Sequence, residues 1–166
     1  MSSRPVLRLP LAPYELVLEF AAGAGLAWLV GLALFSYSSL PASIPTHFAL
    51  GGEPDGWGPR WTILILPAIG LLLYSLLTIL ARFPHRLNYL WEVTEANAGV
   101  QYRLARAFLS VLKGVIVWSM GYIKFTTIQV AIGDAPGLDP VFLPVFLAAT
   151  FGTIGVYIIL SRRARP

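Results

Sequence analysis

The chain has 166 residues, 57% hydrophobic and only 12% charged, against roughly 25% charged in an ordinary globular domain. That is a membrane composition. There is no cysteine, which excludes disulfides, thiolate metal sites and a cysteine nucleophile. The net charge of +4 does not indicate nucleic-acid binding, because the basic residues gather at the ends of apolar runs, where they orient helices in a bilayer.

Residues 1–13 are basic and proline-containing, with Arg4 and Arg8. They read as a cytoplasmic tail that becomes ordered near Tyr14. The first span is expected over residues 16–37, since about 20 apolar residues cross a 30 Å hydrocarbon core. It is longer than the roughly 7–15-residue core of a signal peptide, so it reads as a retained span. Glu15 and Glu19 lie at its start, four apart and on one face. The preferred reading places both in the headgroup zone, favoured by the positive helix N-terminus; the alternative makes Glu19 a buried partner for Lys113. Gly23, Ala27 and Gly31 repeat every four positions and offer a smooth face for helix packing, within the chain rather than between copies.

Residues 40–61 separate the first two spans. Four prolines (Pro41, Pro45, Pro54, Pro59) and four glycines (Gly51, Gly52, Gly56, Gly58) argue against a regular helix or a central strand through most of this segment. The second span follows over residues 62–81, with Pro67 in its first turns and Arg82 marking the exit. Residues 82–103 form the longest polar connection. Pro84 breaks the second helix, Tyr89–Val93 suggest an extended piece on the interface with Trp91 as its anchor, and Thr94 is the expected N-cap of a helix from Glu95 to about Ile132. The membrane part of that helix is residues 104–131. Lys113 lies inside it and reads first as a lysine snorkelling to the inner interface. A turn-rich loop over 133–140 leads to the fourth span, residues 141–160, and to a basic stretch with Arg162, Arg163 and Arg165.

The basic residues set a topology. Nine of them (Arg4, Arg8, Arg82, Arg86, Arg103, Arg106, Arg162, Arg163, Arg165) fall on one side and two (Arg60, Lys124) on the other, with Lys113 embedded. This asymmetry places both termini and the middle loop in the cytoplasm and the 40–61 segment outside. The expected fold is an all-α, four-helix membrane bundle in one domain with an ordered external loop. No nucleotide-binding glycine motif, intramembrane catalytic serine pair or internal repeat is evident.

The 40–61 segment holds one of the two histidines, two of the eight acidic residues and two of the five tryptophans. Its simplest role is a folded cap on the helix ends, with Pro54 and Asp55-Gly56 forming a turn and Glu53 and Asp55 satisfying loop amides or pairing with Arg60. A second reading is a metal site made by His47, Glu53 and Asp55, with Asp134 or Asp139 as a further ligand; a histidine with carboxylates suits zinc or a similar ion. A third is acid–base chemistry by His47 with Asp55, with Ser36, Ser38, Ser39 and Ser43 near in sequence. A fourth is recognition of a peptide or partner subunit by a rigid loop carrying tryptophans and charges.

Leu40-Pro41, Ile44-Pro45, His47-Phe48, Gly52, Pro54-Asp55-Gly56-Trp57 and Arg60 resemble the signature of a bacterial membrane domain of unknown function. That domain forms the N-terminal part of SdpI-type immunity proteins. The resemblance extends to Pro67, to Asn88 in the middle loop, and to Asn97, Tyr102 and Arg103. Ala49 stands where the family often has asparagine, and Arg60 where it usually has lysine. SdpI-type proteins carry further membrane helices after this domain, whereas four spans are present here. The resemblance implies protection against a secreted toxic peptide and signalling through sequestration of a repressor.

The reading that follows is a non-enzymatic, SdpI-like protein of the bacterial inner membrane, binding an extracellular peptide or membrane-protein partner through His47, Glu53, Asp55, Trp57 and Arg60. No cofactor is expected. Arg103 and Arg106 are the expected contacts for a cytosolic regulator, or for anionic lipid. The alternatives are an accessory subunit of a larger membrane complex, packing through the small-residue face of the first helix, and a metal-dependent membrane enzyme using His47 and its neighbouring carboxylates.

Overall fold

A computed structural model describes residues 4–165. Among the described residues, four helices are long and apolar enough to cross a membrane. They are α1 (Pro13–Ser36), α2 (Ile65–Arg82, preceded by a 3-10 turn, Arg60–Leu64), α3 (Ala98–Ala131) and α4 (Phe142–Arg163). Each lies within a few residues of its expected span, because an apolar run of this length has only a helix available to satisfy its main chain in hydrocarbon. The helices alternate in direction, so the end of α1, the start of α2, the end of α3 and the start of α4 share one end of the bundle.

α3 is the central rod. It packs against α1, α2 and α4, and α4 leans chiefly on α3 alone. The α1–α3 seam closes over Ala22, Gly25, Leu29 and Ala33 of α1, all buried. A Cβ on Gly25 would lie 2.8 Å from the Trp118 ring, so the indole of α3 sits where a side chain would otherwise be. Trp118 also donates to the Ala21 carbonyl at 3.0 Å and packs against Trp28, tilted by 35° with 5.3 Å between centroids. The expected packing face of Gly23, Ala27 and Gly31 is not the seam. Ala27 is exposed, and only Gly23 approaches a neighbouring helix, near the Tyr74 hydroxyl of α2. The apolar face is rotated because Glu15, Glu19, Ala22 and Gly25 must point at the polar and aromatic groups of α3. α4 is held by two aromatic stacks, Phe108–Tyr157 at 4.7 Å and Tyr122–Phe142 at 5.3 Å.

The fold is mostly helical, but the 40–61 segment adds a two-stranded antiparallel sheet to the expected all-α architecture, with β1 at Ser43–Phe48 and β2 at Pro54–Pro59. Its prolines are tolerated because both strands are edges, where alternate N–H groups face outward and enter no ladder. The register runs Ser43 to Pro59, Ile44 to Gly58, Pro45 to Trp57, His47 to Gly56 and Phe48 to Pro54. Each strand therefore carries one extra residue, Thr46 on β1 and Asp55 on β2. Bulges of this kind re-aim side chains. Ile44, Leu40, Ile63 and Ala33 form a buried cluster under the hairpin, with Tyr37, Ile128 and Ala131 against it. That cluster fixes the hairpin to the ends of α1, α2 and α3.

At the opposite end, the segment before α1 is ordered from Arg4 onward, not only from Tyr14; residues 1–3 of the expected tail lie outside the described residues. Tyr102 donates to the Pro5 carbonyl at 2.9 Å, and Arg106 donates to the carbonyls of Leu9 and Pro10. Arg4 donates to the Leu87 carbonyl and lies over the Tyr89 ring. Tyr89 donates to the Pro84 carbonyl at 2.9 Å; burial raises its pKa above the ordinary phenol value, which keeps the hydroxyl a donor. α3 starts at Ala98, one turn later than expected, because Thr94 does not cap it. The Asn97 side chain instead accepts from the Thr94 N–H and donates to the Glu92 carbonyl, closing a turn ahead of the helix. Trp91 anchors the end of α4: it donates to the Ser161 hydroxyl at 3.3 Å and lies under the Arg165 guanidinium.

Candidate functional site

The hairpin presents the expected site residues on a fixed frame. The Asp55 bulge brings its carboxylate 2.5 Å from Nδ1 of His47. A Cβ on Gly56 would meet His47 Cβ at 3.0 Å, so a glycine between Asp55 and Trp57 lets the strands approach this closely. The side chains of His47 and Asp55 are 72% and 46% exposed, and Trp57 is 54% exposed. Asp55 and Trp57 are alternate, outward positions of β2. Arg60 lies over the Tyr37 ring at 5.6 Å, and its N–H donates to the Ala42 carbonyl.

The turn of the hairpin is clasped from the side. Leu138 in the α3–α4 loop donates to the Gly52 carbonyl at 2.7 Å. Gly52 has φ +92, and any Cβ there would overlap the Leu138 carbonyl. Two hollows flank this clasp. Glu53 lines one of about 570 Å³ with Tyr122, Phe125 and Gln129; His47 lines the other, about 330 Å³, with Phe48 and Phe142. Glu53 and His47 thus face different spaces. Among the described residues no three His, Asp or Glu side chains gather as a metal site needs, so the set His47, Glu53 and Asp55 is not assembled. Of the nearby serines, Ser36 and Ser39 give their hydroxyls to the carbonyls of Leu32 and Ser36.

A second constellation lies inside the bundle. Lys113 is 1% exposed and donates to both Glu19 oxygens, at 2.7 and 2.9 Å. It also donates to the Thr78 hydroxyl at 2.9 Å and sits 4.5 Å from the Tyr74 ring centroid. Ser110 donates to Glu19 at 2.5 Å. The snorkelling lysine and the headgroup-zone Glu19 are both corrected: the two charges meet between α1 and α3, with α2 supplying the remaining contacts. An ammonium so enclosed is tolerated only with a counter-charge and further hydrogen bonds.

Glu15 is corrected likewise. It is buried, accepts from Nε and Nη2 of Arg106 at 2.9 Å each, and accepts from the Ala12 N–H at 2.7 Å. Arg106 is therefore engaged within the fold, whereas Arg103 stands 4.0 Å from Glu15 with its side chain 35% exposed. The signal in the sequence was a pair of opposite charges at similar depth in two spans; which helix faces lie together is not encoded in spacing along one helix.

Residues 23–71 match the domain of unknown function DUF1648. The match runs from α1 through the whole hairpin into α2. An uncharacterised protein of Archaeoglobus fulgidus is 29% identical over 150 residues, covering 80% of each chain. No solved structure matches the chain.

Proposed function

We propose that the chain is a non-enzymatic multi-pass membrane protein of SdpI-like type, whose hairpin faces outside and binds an extracellular peptide or a partner membrane protein. The observation that carries this reading is an exposed His47–Asp55 pair beside an exposed Trp57, on a hairpin pinned from below by Ile44 and from the side by Leu138. A tryptophan next to charges on a rigid frame is the chemistry of a binding hot spot, because little order has to be gained on association. Orientation follows from the nine-to-two distribution of basic residues, with both termini in the cytoplasm of a bacterial-type inner membrane. The resemblance of the hairpin to SdpI-type proteins supports an immunity or signalling role. On the opposite side, Arg103, whose side chain is partly exposed beside Glu15, is the residue that would meet a cytosolic regulator.

The test is protection. Cells producing the wild-type chain, or His47→Ala, Asp55→Ala or Trp57→Ala at equal membrane abundance, are challenged with secreted membrane-active peptides. Wild type is expected to raise the tolerated dose and the three variants to lose most of that gain. Absence of protection by wild type, or protection untouched by all three substitutions, overturns the proposal.

A further inference from the structure

We propose that the hollow at the end of the bundle opposite the hairpin is a binding site for a single phospholipid with an anionic headgroup. The hollow measures about 640 Å³ and opens between the segment before α1, the end of α2 and the face of α3, a size ordinary for small-molecule sites. It does not depend on which side of the membrane that end faces.

Charge selects the headgroup. Two carboxylates line the hollow, Glu15 and Glu19, and each is neutralised inside the fold, by Arg106 and Lys113. The remaining charged lining residues are Arg8 and Arg82. Both are exposed, and neither guanidinium takes part in an ion pair among the described residues. His85 stands beside them on the same rim. The mouth therefore carries two uncompensated guanidiniums, which bind phosphate oxygens through paired N–H donors. Deeper in, the Thr78 hydroxyl accepts from Lys113, which leaves its own proton available for a headgroup or glycerol oxygen.

The walls select an amphiphile. Val6, Leu7 and Leu11 line one side and Ala81 and Phe83 the other. Glu19 lies six residues into α1 from Pro13, so the hollow reaches roughly 9 Å below the helix start. An acyl chain can leave past the exposed side chains of Leu7, Leu11 and Phe83 at the rim. A free phosphate would leave these walls uncovered.

Native mass spectrometry of the purified protein, titrated separately with phosphatidylglycerol, phosphatidylcholine and inorganic phosphate, tests the proposal. Wild type is expected to retain one phosphatidylglycerol in preference to phosphatidylcholine and to show no comparable binding of phosphate alone. Arginine near a membrane surface contributes about fivefold each, so Arg8→Gln/Arg82→Gln should weaken phosphatidylglycerol retention about 25-fold. Ala81→Trp, which keeps every charge and fills the hollow, should weaken it as well. Arg162→Gln/Arg163→Gln removes equal charge from the same end but outside the hollow and should have little effect. Equal retention of phosphatidylcholine overturns the proposal. So does equal loss in the Arg162/Arg163 variant, which would mean diffuse attraction, or equally tight binding of inorganic phosphate, which would mean a free-anion site.

Discussion

Replacing Glu19 by glutamine tests whether the buried ion pair holds the bundle together. The substitution keeps shape and one acceptor and removes the counter-charge of Lys113. What remains around the ammonium is the glutamine carbonyl, the Thr78 hydroxyl and the Tyr74 ring. Breaking a buried pair by removing one partner costs about 3–5 kcal/mol, because the other charge is left uncompensated. Lys113 is 1% exposed but the Glu19 side chain is 28% exposed towards the hollow, so the loss belongs at the lower end, about 3 kcal/mol. Reversible unfolding of single variants in mixed micelles measures it. The double variant Glu19→Leu/Lys113→Met removes both charges and should recover most of the loss, since apolar replacement of a buried pair is often neutral. A single-variant loss under about 1 kcal/mol, the size of one ordinary hydrogen bond, would refute the reasoning, as would a double variant equal to the sum of the two singles.

Gly52→Ala should free the hairpin turn from the α3–α4 loop at a cost of about 1–3 kcal/mol of backbone strain; faster amide exchange at Leu138 is the readout, and unchanged protection there would contradict the clasp. Asp55→Asn should alter stability by less than about 1 kcal/mol, because the pair with His47 is solvent-exposed; a large loss in thermal unfolding would make the pair structural. With no native cysteine, Trp57→Cys and Leu90→Cys can be labelled without background. An impermeant maleimide should reach the first only from outside and the second only from inside, and labelling of both from one side would break the proposed topology.

The helices were legible because long apolar runs leave the backbone one solution. The hairpin was not, since Pro45, Pro54 and Pro59 argue against strands in general, and only their placement on two edges makes them harmless. Asp55-Gly56 read as a turn, whereas the structure puts them within β2, with Asp55 as a bulge and the turn at Ala49–Glu53. Lys113 and Glu19 were visible as misplaced charges, but their meeting depends on the rotation of α1, which Trp118 against Gly25 helps to set. The proximity of His47 and Asp55 was suggested by type and the separation of Glu53 from them was not, because it follows from where the α3–α4 loop touches the turn.

The strap formed by residues 4–12 has a consequence for biogenesis. Its anchors, Leu87, Tyr102 and Arg106, are synthesised some eighty to a hundred residues after it. The strap must therefore wait, unpaired, while two hydrophobic segments enter the bilayer, and it can close over the bundle only once α3 has arrived. Its seating is a late step in maturation, and a bulky fusion placed ahead of Arg4 would hinder that step before it touched any other part of the protein.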